Sequence, residues 1–246
     1  MGPLPRKLAY ALNLLLVVVP IYGLILAYAH FGWPGLIAGV IVQAIFWGLV
    51  MYLSFLLPIG RQRYKKVTTL RPKIYEVLAN LFAGHDLEGI RTIIDECRIK
   101  PGERILDIAS GTGYAAIGIM SLVPDINVVA LDLSRNMLLK AREKAEGKSI
   151  YLNLGDAEQL PYKDGSFEVV LSIFHLNLTP NRQKAIVEMV RVARSGGRVA
   201  IQVPRPFSPY MRRADWYAEK LAELGLIRIK ISSNSFLCSL ITAQKP

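Results

Sequence analysis

The sequence predicts an α/β domain with a doubly wound, mostly parallel sheet, preceded by a helical hairpin of membrane-spanning length. Three observations lead to this architecture. Residues 8–60 contain no Asp, Glu, Lys or Arg. From residue 61 onwards, apolar runs of strand length alternate with amphipathic runs of helix length. The last two apolar runs are joined by a short link, which indicates an antiparallel pair of strands at the end of the domain.

The uncharged segment contains two apolar runs, at about 8–29 and 35–59. Each run is long enough to cross the hydrocarbon core of a bilayer as a helix, which takes about 20 residues. The connector over residues 30–35 (HFGWPG) has glycines and a proline for a tight reversal and aromatic rings suited to the headgroup level. A cleaved signal peptide would not account for the second run. We therefore predict that residues 1–60 form a transmembrane hairpin.

Basic residues flank this hairpin on both sides. Arg6 and Lys7 precede the first run, and six basic residues follow the second: Arg61, Arg63, Lys65, Lys66, Arg71 and Lys73. The positive-inside bias then predicts a two-span protein of the cell membrane with both termini and the remaining domain in the cytoplasm. The net charge of +11 would also suit nucleic acid, but basic and aromatic residues are not interleaved as in such proteins. The expected partner is the lipid bilayer, and no nucleic acid is expected.

The elements of the domain follow from the pattern of apolar residues. Residues 61–98 are predicted as a basic juxtamembrane segment followed by helices at 74–82 and 87–97, the second of which ends before a Lys-Pro-Gly turn. Strands are predicted at 104–108, 127–131, 149–154, 167–173, 198–203, 227–232 and 236–242. Helices are predicted at 114–122, 135–146, 181–193 and 210–224. Strands that alternate with helices imply a parallel sheet covered on both faces.

A glycine-rich loop over residues 107–113 (DIASGTG) joins the first strand to a helix, where a doubly wound fold binds a ligand. Its GTGYAA letters also fit the dinucleotide pattern GxGxxA, so a nicotinamide or flavin dehydrogenase is an alternative. Asp132 closes the second strand and could accept hydrogen bonds from ribose hydroxyls in either class. Asp107 would face a pyrophosphate in a dehydrogenase, whereas it could balance the ammonium and sulfonium of S-adenosylmethionine. The sign of the charge favours S-adenosylmethionine.

Four ordered motifs resemble those of the class I S-adenosylmethionine-dependent methyltransferases, particularly the branch of quinone C-methyltransferases and lipid or small-molecule enzymes. The motifs lie at residues 105–113 (ILDIASGTG), 131–134 (LDLS), 155–170 (GDAEQLPYKDGSFEVV) and 188–201 (EMVRVARSGGRVAI). The sequence departs from the family pattern at Ala109 and Ser195, and at His175-Leu-Asn177, where the family has paired histidines. The resemblance implies a Rossmann-like sheet with an antiparallel terminal strand over residues 99–246.

The resemblance also implies S-adenosyl-L-methionine as the cofactor and assigns its contacts. The expected cofactor-binding residues are Asp107, Ser110, Gly111, Gly113, Asp132, Leu133, Asp156 and Ala157. Asp107 and the glycines would contact the methionine part, Asp132 the ribose, and Leu133, Asp156 and Ala157 the adenine. No metal is expected, because Cys97 and Cys238 lack ligand spacing and fit small buried apolar positions.

His175 follows the fourth strand, at the edge where the transferred methyl would emerge. It could remove a substrate proton, and a packed structural histidine fits the sequence equally well. Methyl transfer depends largely on positioning and requires no dedicated nucleophile. The resulting prediction is an enzyme that methylates a membrane-resident acceptor, either a lipid headgroup amine or an isoprenoid quinone. A membrane-tethered methyltransferase of a soluble small molecule or protein, and a non-catalytic cofactor-binding module, are the alternatives.

Overall fold

The computed structural model describes residues 22–45, 87–145, 147, 150–177, 179–204, 212–235 and 238–246. The helix predicted at 74–82, the six basic residues after the hairpin and most of both predicted membrane spans lie outside these ranges. The chain divides into two compact units, Met1–Pro58 and Ile59–Pro246.

In the first unit, helix α1 covers Tyr22–Ile45, 24 residues with a mean hydropathy of 1.6, and by length and composition it could cross a membrane. The helix includes the predicted connector. Gly32 has a φ of +62°, and a Cβ built on Gly39 would lie 3.0 Å from Leu24 Cδ2. A straight helix would separate those two residues by about 22 Å. Residues 24 and 39 are therefore not joined by one straight helix, and the predicted transmembrane hairpin is not confirmed.

The second unit contains one mixed sheet. Its strands are β1 Arg104–Ile108, β2 Asn127–Asp132, β3 Ile150–Leu154, β4 Phe167–Ile173, β5 Ala193–Pro204, β6 Ile227–Ser235 and β7 Cys238–Gln244. Its helices are α2 Leu87–Cys97, α3 Tyr114–Leu122, α4 Arg135–Lys144, α5 Arg182–Val192 and α6 Ala214–Glu223. The strand order is β3-β2-β1-β4-β5-β7-β6. β1 to β5 are parallel, and β7 runs antiparallel to β5 and β6. The doubly wound sheet and its antiparallel terminal strand are confirmed.

Several boundaries differ from the predicted ones by local chemistry. α5 begins at Arg182 because the side chain of Asn181 caps the helix and accepts a hydrogen bond from the Lys184 N–H at 3.0 Å. β5 begins at Ala193 instead of residue 198, since Ala193 already pairs with Phe167 of β4. The start predicted for α6 at residue 210 lies outside the described ranges, and the described helix begins at Ala214.

Two apolar clusters cover the faces of the sheet. Helices α5 and α6 contribute Met189 and Tyr217 to a cluster over one face. Helices α2 and α3 contribute Ile93 and Ile119 to the cluster over the other. Successive strand residues alternate between these faces, so Asp107 of β1 points to the α2–α3 face. Cys97 and Cys238 are buried free thiols.

Candidate active site

The loop after β1 makes a sharp turn. Ala109, Gly111 and Gly113 have φ values of 56°, 56° and 85°, in the left-handed region. A Cβ at Gly113 would lie 2.8 Å from Ile117 Cδ1 and 3.2 Å from the Cβ of Ala141. A side chain at this position would therefore push α3 away from α4, and glycine lets the two helices close behind the loop.

Asp132 links the ends of β1 and β2. Its Oδ2 accepts a hydrogen bond from the Gly111 N–H, and its Oδ1 accepts one from the Ser134 N–H, both at 2.8 Å. Burial raises the pKa of this carboxyl, and the backbone hydrogen bonds partly offset that effect. A carboxylate offers about four acceptor positions, and the backbone bonds do not use all of them, so acceptor capacity remains for a ligand hydroxyl. Asp132 is thus held in a fixed orientation with spare acceptor capacity.

Asp107 lies deeper, at 1% exposure. Its Oδ2 accepts one hydrogen bond, from the Ala116 N–H at 3.2 Å. Burial raises the pKa of this carboxyl to about 7, and the nearby Asp132 adds to the increase. A cation placed beside Asp107 would favour its ionised form, as the ammonium and sulfonium of S-adenosylmethionine would.

These groups surround a small open cleft. The cleft is lined by Asp107, Ala109, Ser110, Thr112, Tyr114, Ala115 and Ile173. The Ser110 hydroxyl is buried and, within the described ranges, has no hydrogen-bond partner. A carboxylate for a cation, an unpaired hydroxyl and close backbone approach at Gly111 together fit the amino-acid end of S-adenosylmethionine. Sequence reasoning missed Thr112 and Ile173, although the position of Thr112 between two loop glycines was an available signal.

The loop after β3 joins the same edge of the sheet. The Gly155 N–H donates to the Asp132 carbonyl at 3.0 Å, which brings Asp156 and Ala157 next to the end of β2. A Cβ at Gly155 would lie 2.7 Å from Leu131 Cδ1, so this close approach also requires glycine. Leu133 is half-buried in the loop after β2. The structure therefore gathers the predicted adenine residues at one edge, and their contacts with the cofactor stay predictions.

His175 is buried in the loop after β4. Its Nε2 lies 2.9 Å from the Thr179 hydroxyl. Burial lowers the pKa of the imidazole to about 4, although the nearby Asp156 opposes the decrease. The preceding residue, Phe174, has a φ of 62°, an unusual conformation for an aromatic residue. A neutral imidazole that already contacts a hydroxyl is suited to holding this loop in shape, and its role as a base stays a prediction.

Comparisons with known proteins agree with this arrangement. Residues 106–201 match the family described as methyltransferase domain. Over 136 residues the chain is 36% identical to a demethylmenaquinone methyltransferase of Thermus thermophilus, covering 54% of this chain and 62% of that protein. A solved S-adenosylmethionine-dependent methyltransferase from Aquifex aeolicus has a TM-score of 0.58 at 18% identity, over 76% of this chain and 99% of that one. Phosphoethanolamine N-methyltransferase 2 of Haemonchus contortus, in complex with S-adenosyl-L-methionine, has a TM-score of 0.57 at 19% identity, over 64% and 52%.

The chain spans about three fifths of the length of the quinone methyltransferases that it matches, for example 62% and 56% of two of them. The structural neighbours are below 25% identity and establish the fold. Residues 106–201 are thus similar in sequence to the methyltransferase domain family, the fold is similar to that of solved methyltransferases, and S-adenosyl-L-methionine is the cofactor that these relatives support.

Proposed function

We propose that this S-adenosylmethionine-dependent methyltransferase domain transfers a methyl group to a ring carbon of a reduced isoprenoid quinone in the membrane. The observation that carries the proposal is the pair of buried carboxyls, Asp107 and Asp132, on either side of the glycine loop. Ionised Asp107 would attract a sulfonium and an ammonium and would repel a pyrophosphate. The dehydrogenase alternative is therefore disfavoured by the charge of the site.

When bound, the cofactor supplies a methyl group on a positively charged sulfur. The acceptor displaces that sulfur in line with the bond from sulfur to methyl. The protein then has to bind and orient the cofactor and the acceptor and to exclude water from the site. Asp107 would become ionised beside the cofactor cation, and Asp132 would accept the ribose hydroxyls with the lone pairs that its backbone bonds leave free. With a pKa of about 4, His175 would be a weak base, so we assign it to holding the loop after β4.

Two observations favour a quinone as acceptor. Several of the curated relatives are named demethylmenaquinone methyltransferases, at 32–36% identity over about half to two thirds of this chain. The apolar helix α1 would hold the enzyme at the bilayer, where an isoprenoid quinone resides. We also propose that the domain faces the cytoplasm, on the basis of the basic residues that flank the uncharged segment.

The test uses the full chain in native membrane vesicles with S-adenosylmethionine labelled on its methyl group. Three acceptor pools are supplied separately: a reduced demethylated quinone, total membrane phospholipid, and a soluble extract of metabolites and proteins. Label in the quinone supports the proposal, and label in another pool would replace the acceptor with a headgroup amine or a soluble molecule. Bound cofactor without transfer to any pool would support the non-catalytic alternative.

A matched pair of variants assigns any transfer to this site. Asp132→Ala should abolish transfer, whereas Asp95→Ala, a change of an exposed residue on α2, should leave it intact. Equal activity of the two variants would show that the label comes from a contaminating enzyme.

A further inference from the structure

Gln202 is a polar residue in the middle of an apolar surface. It lies on β5 at 3% exposure, and its side-chain Oε1 has no hydrogen-bond partner in the part of the chain that the structure describes. Its backbone carbonyl is used separately and accepts the Phe174 N–H at 2.9 Å. A buried carbonyl oxygen without a donor is unfavourable, and an apolar residue would fill this position without that penalty.

The register of the sheet places Gln202 beside the cleft. Gln202 pairs with Ile173 on β4 and with Leu240 on β7. Paired residues of neighbouring strands point to the same face, about 4.8 Å apart. Ile173 and Leu240 belong to the apolar cluster on the α2–α3 face, and Ile173 also lines the cleft together with Asp107. The side chain of Gln202 is therefore one strand away from the wall of the cleft, at the carboxyl edge of the sheet.

The surroundings of Gln202 indicate which donor would suit Oε1. Its neighbours in register are aliphatic, and Phe174 and Ala200 of the same face are apolar as well. A cationic ammonium moved into such surroundings would lose its hydration without gaining a carboxylate. A neutral hydroxyl needs only one acceptor, and an aromatic ring that carries it would pack on the aliphatic side chains.

We propose that Oε1 of Gln202 accepts a hydrogen bond from a ring hydroxyl of the reduced quinone acceptor and thereby fixes the orientation of the ring. This inference rests on the proposed function and names the residue that selects a quinol over an amine. Accepting this hydrogen bond also leaves more electron density on the hydroxyl oxygen. That density raises the nucleophilicity of the adjacent ring carbon, which bonds to the methyl group as the bond from the methyl to sulfur breaks. S-adenosylhomocysteine is then the leaving group, and the ring carbon loses its proton to solvent, which restores the aromatic ring.

The test compares Gln202→Met with Ser172→Ala in the full chain. Met has nearly the size of Gln but lacks a strong acceptor. Ser172 is a matched control because its hydroxyl is equally buried and unpartnered within the described ranges, while its strand position points to the opposite face. The acceptor is a short-chain 2-prenyl-1,4-naphthoquinol kept reduced, and the inhibitor is its dimethyl ether, which has the same ring without hydroxyls.

Gln202→Met should lower kcat/KM for the quinol by about tenfold to a hundredfold, the range for losing one hydrogen bond in a buried polar site. The Kd for S-adenosylmethionine, measured by calorimetry, should stay within about twofold, and so should Ki for the dimethyl ether. Ser172→Ala should behave like the wild type in all three measurements.

Equal losses in the two variants, or an equal loss of affinity for quinol and ether, would overturn the inference, because either would indicate a general packing effect. Gln202→Leu serves as a second variant, and loss of fold in both Gln202 variants would likewise assign the residue to structure. A wild-type enzyme that methylates no quinol would instead refute the proposed function, and this inference with it. If the wild type methylates the quinol and Gln202→Met has the same kcat/KM, this inference is refuted and the proposed function stands.

Discussion

Replacing Asp107 by Asn should stabilise the protein and weaken its hold on the cofactor. Burial raises the pKa of the Asp107 carboxyl from 3.8 to about 7. At about 1.4 kcal/mol per pKa unit, ionising it in the folded protein costs about 4 kcal/mol more than in the unfolded chain. The stability associated with the neutral carboxyl is complete below pH 4 and is lost as the pH rises through 7. Asn keeps an oxygen for the Ala116 N–H and carries no charge.

Asp107→Asn should therefore raise the free energy of unfolding by up to about 4 kcal/mol at pH 8 and by little at pH 4. Urea denaturation at the two pH values measures this difference, with Asp95→Asn, a change of an exposed residue on α2, as the control. A variant that is less stable than the wild type at pH 8 would refute the assignment of a buried, raised pKa.

The same carboxyl should make cofactor binding depend on pH. The cationic cofactor binds best to ionised Asp107, of which about 1% is present at pH 5 when the pKa is about 7. The Kd of the wild type should then be up to about 100-fold weaker at pH 5 than at pH 8, and the profile of Asp107→Asn should be nearly flat. Calorimetric titrations between pH 5 and 8 test this, and parallel profiles for the two proteins would contradict it.

Three further predictions concern the surroundings of the site. Asp132→Ala removes the acceptor of two buried N–H groups. Both amides should then exchange hydrogen faster, and cofactor affinity should fall at least about tenfold. Unchanged protection of these amides from hydrogen exchange would contradict the role of the carboxylate. His175→Asn should leave the pH profile of kcat between pH 5 and 8 unchanged, because burial lowers the pKa of the imidazole to about 4; an inflection that disappears in the variant would restore His175 as a base. Gly118→Ala places a Cβ 2.8 Å from Ile90 Cγ1 and should lower the free energy of unfolding by about 1–3 kcal/mol in chemical denaturation. The double variant with Ile90→Val should recover part of that loss, because valine leaves room for the new Cβ. If the losses of the two single variants simply add in the double variant, the clash is not the cause.

The sequence predicted most of the sheet because its strands are apolar runs with clear ends. β1 and β4 match their predicted bounds, since each is a run of buried residues between charged or turn residues. β5 was placed five residues too late, because Ala193 continues the apolar pattern of α5 and its pairing with Phe167 depends on tertiary contact. The local pattern of apolar residues cannot predict that Ala193 pairs with Phe167, which lies 26 residues earlier in the chain.

The candidate site was predictable where it depends on strand ends. Asp107 and Asp132 follow from the rule that ligands bind at the carboxyl edge of a parallel sheet. The burial of His175 was not predictable, because it depends on the packing of the loop after β4. Gln202 was missed for a similar reason. Its place beside the cleft can be inferred only when the register between β5 and β4 is known. A single polar residue in an apolar strand also does not show that its side-chain oxygen is unpaired.

The position of β7 has a consequence for biosynthesis. β7 lies between β5 and β6, although the ribosome makes it after both. Until β7 emerges, β5 exposes an unpaired edge, a surface that invites intermolecular pairing. Lys245 follows β7, and its ammonium donates to the carbonyls of Val190, Arg191 and Ala193 at the end of α5. β5 and β6 therefore acquire their shared neighbour only after the last strand of the sheet has been made, and the Lys245 contacts then join the end of that strand to the end of α5.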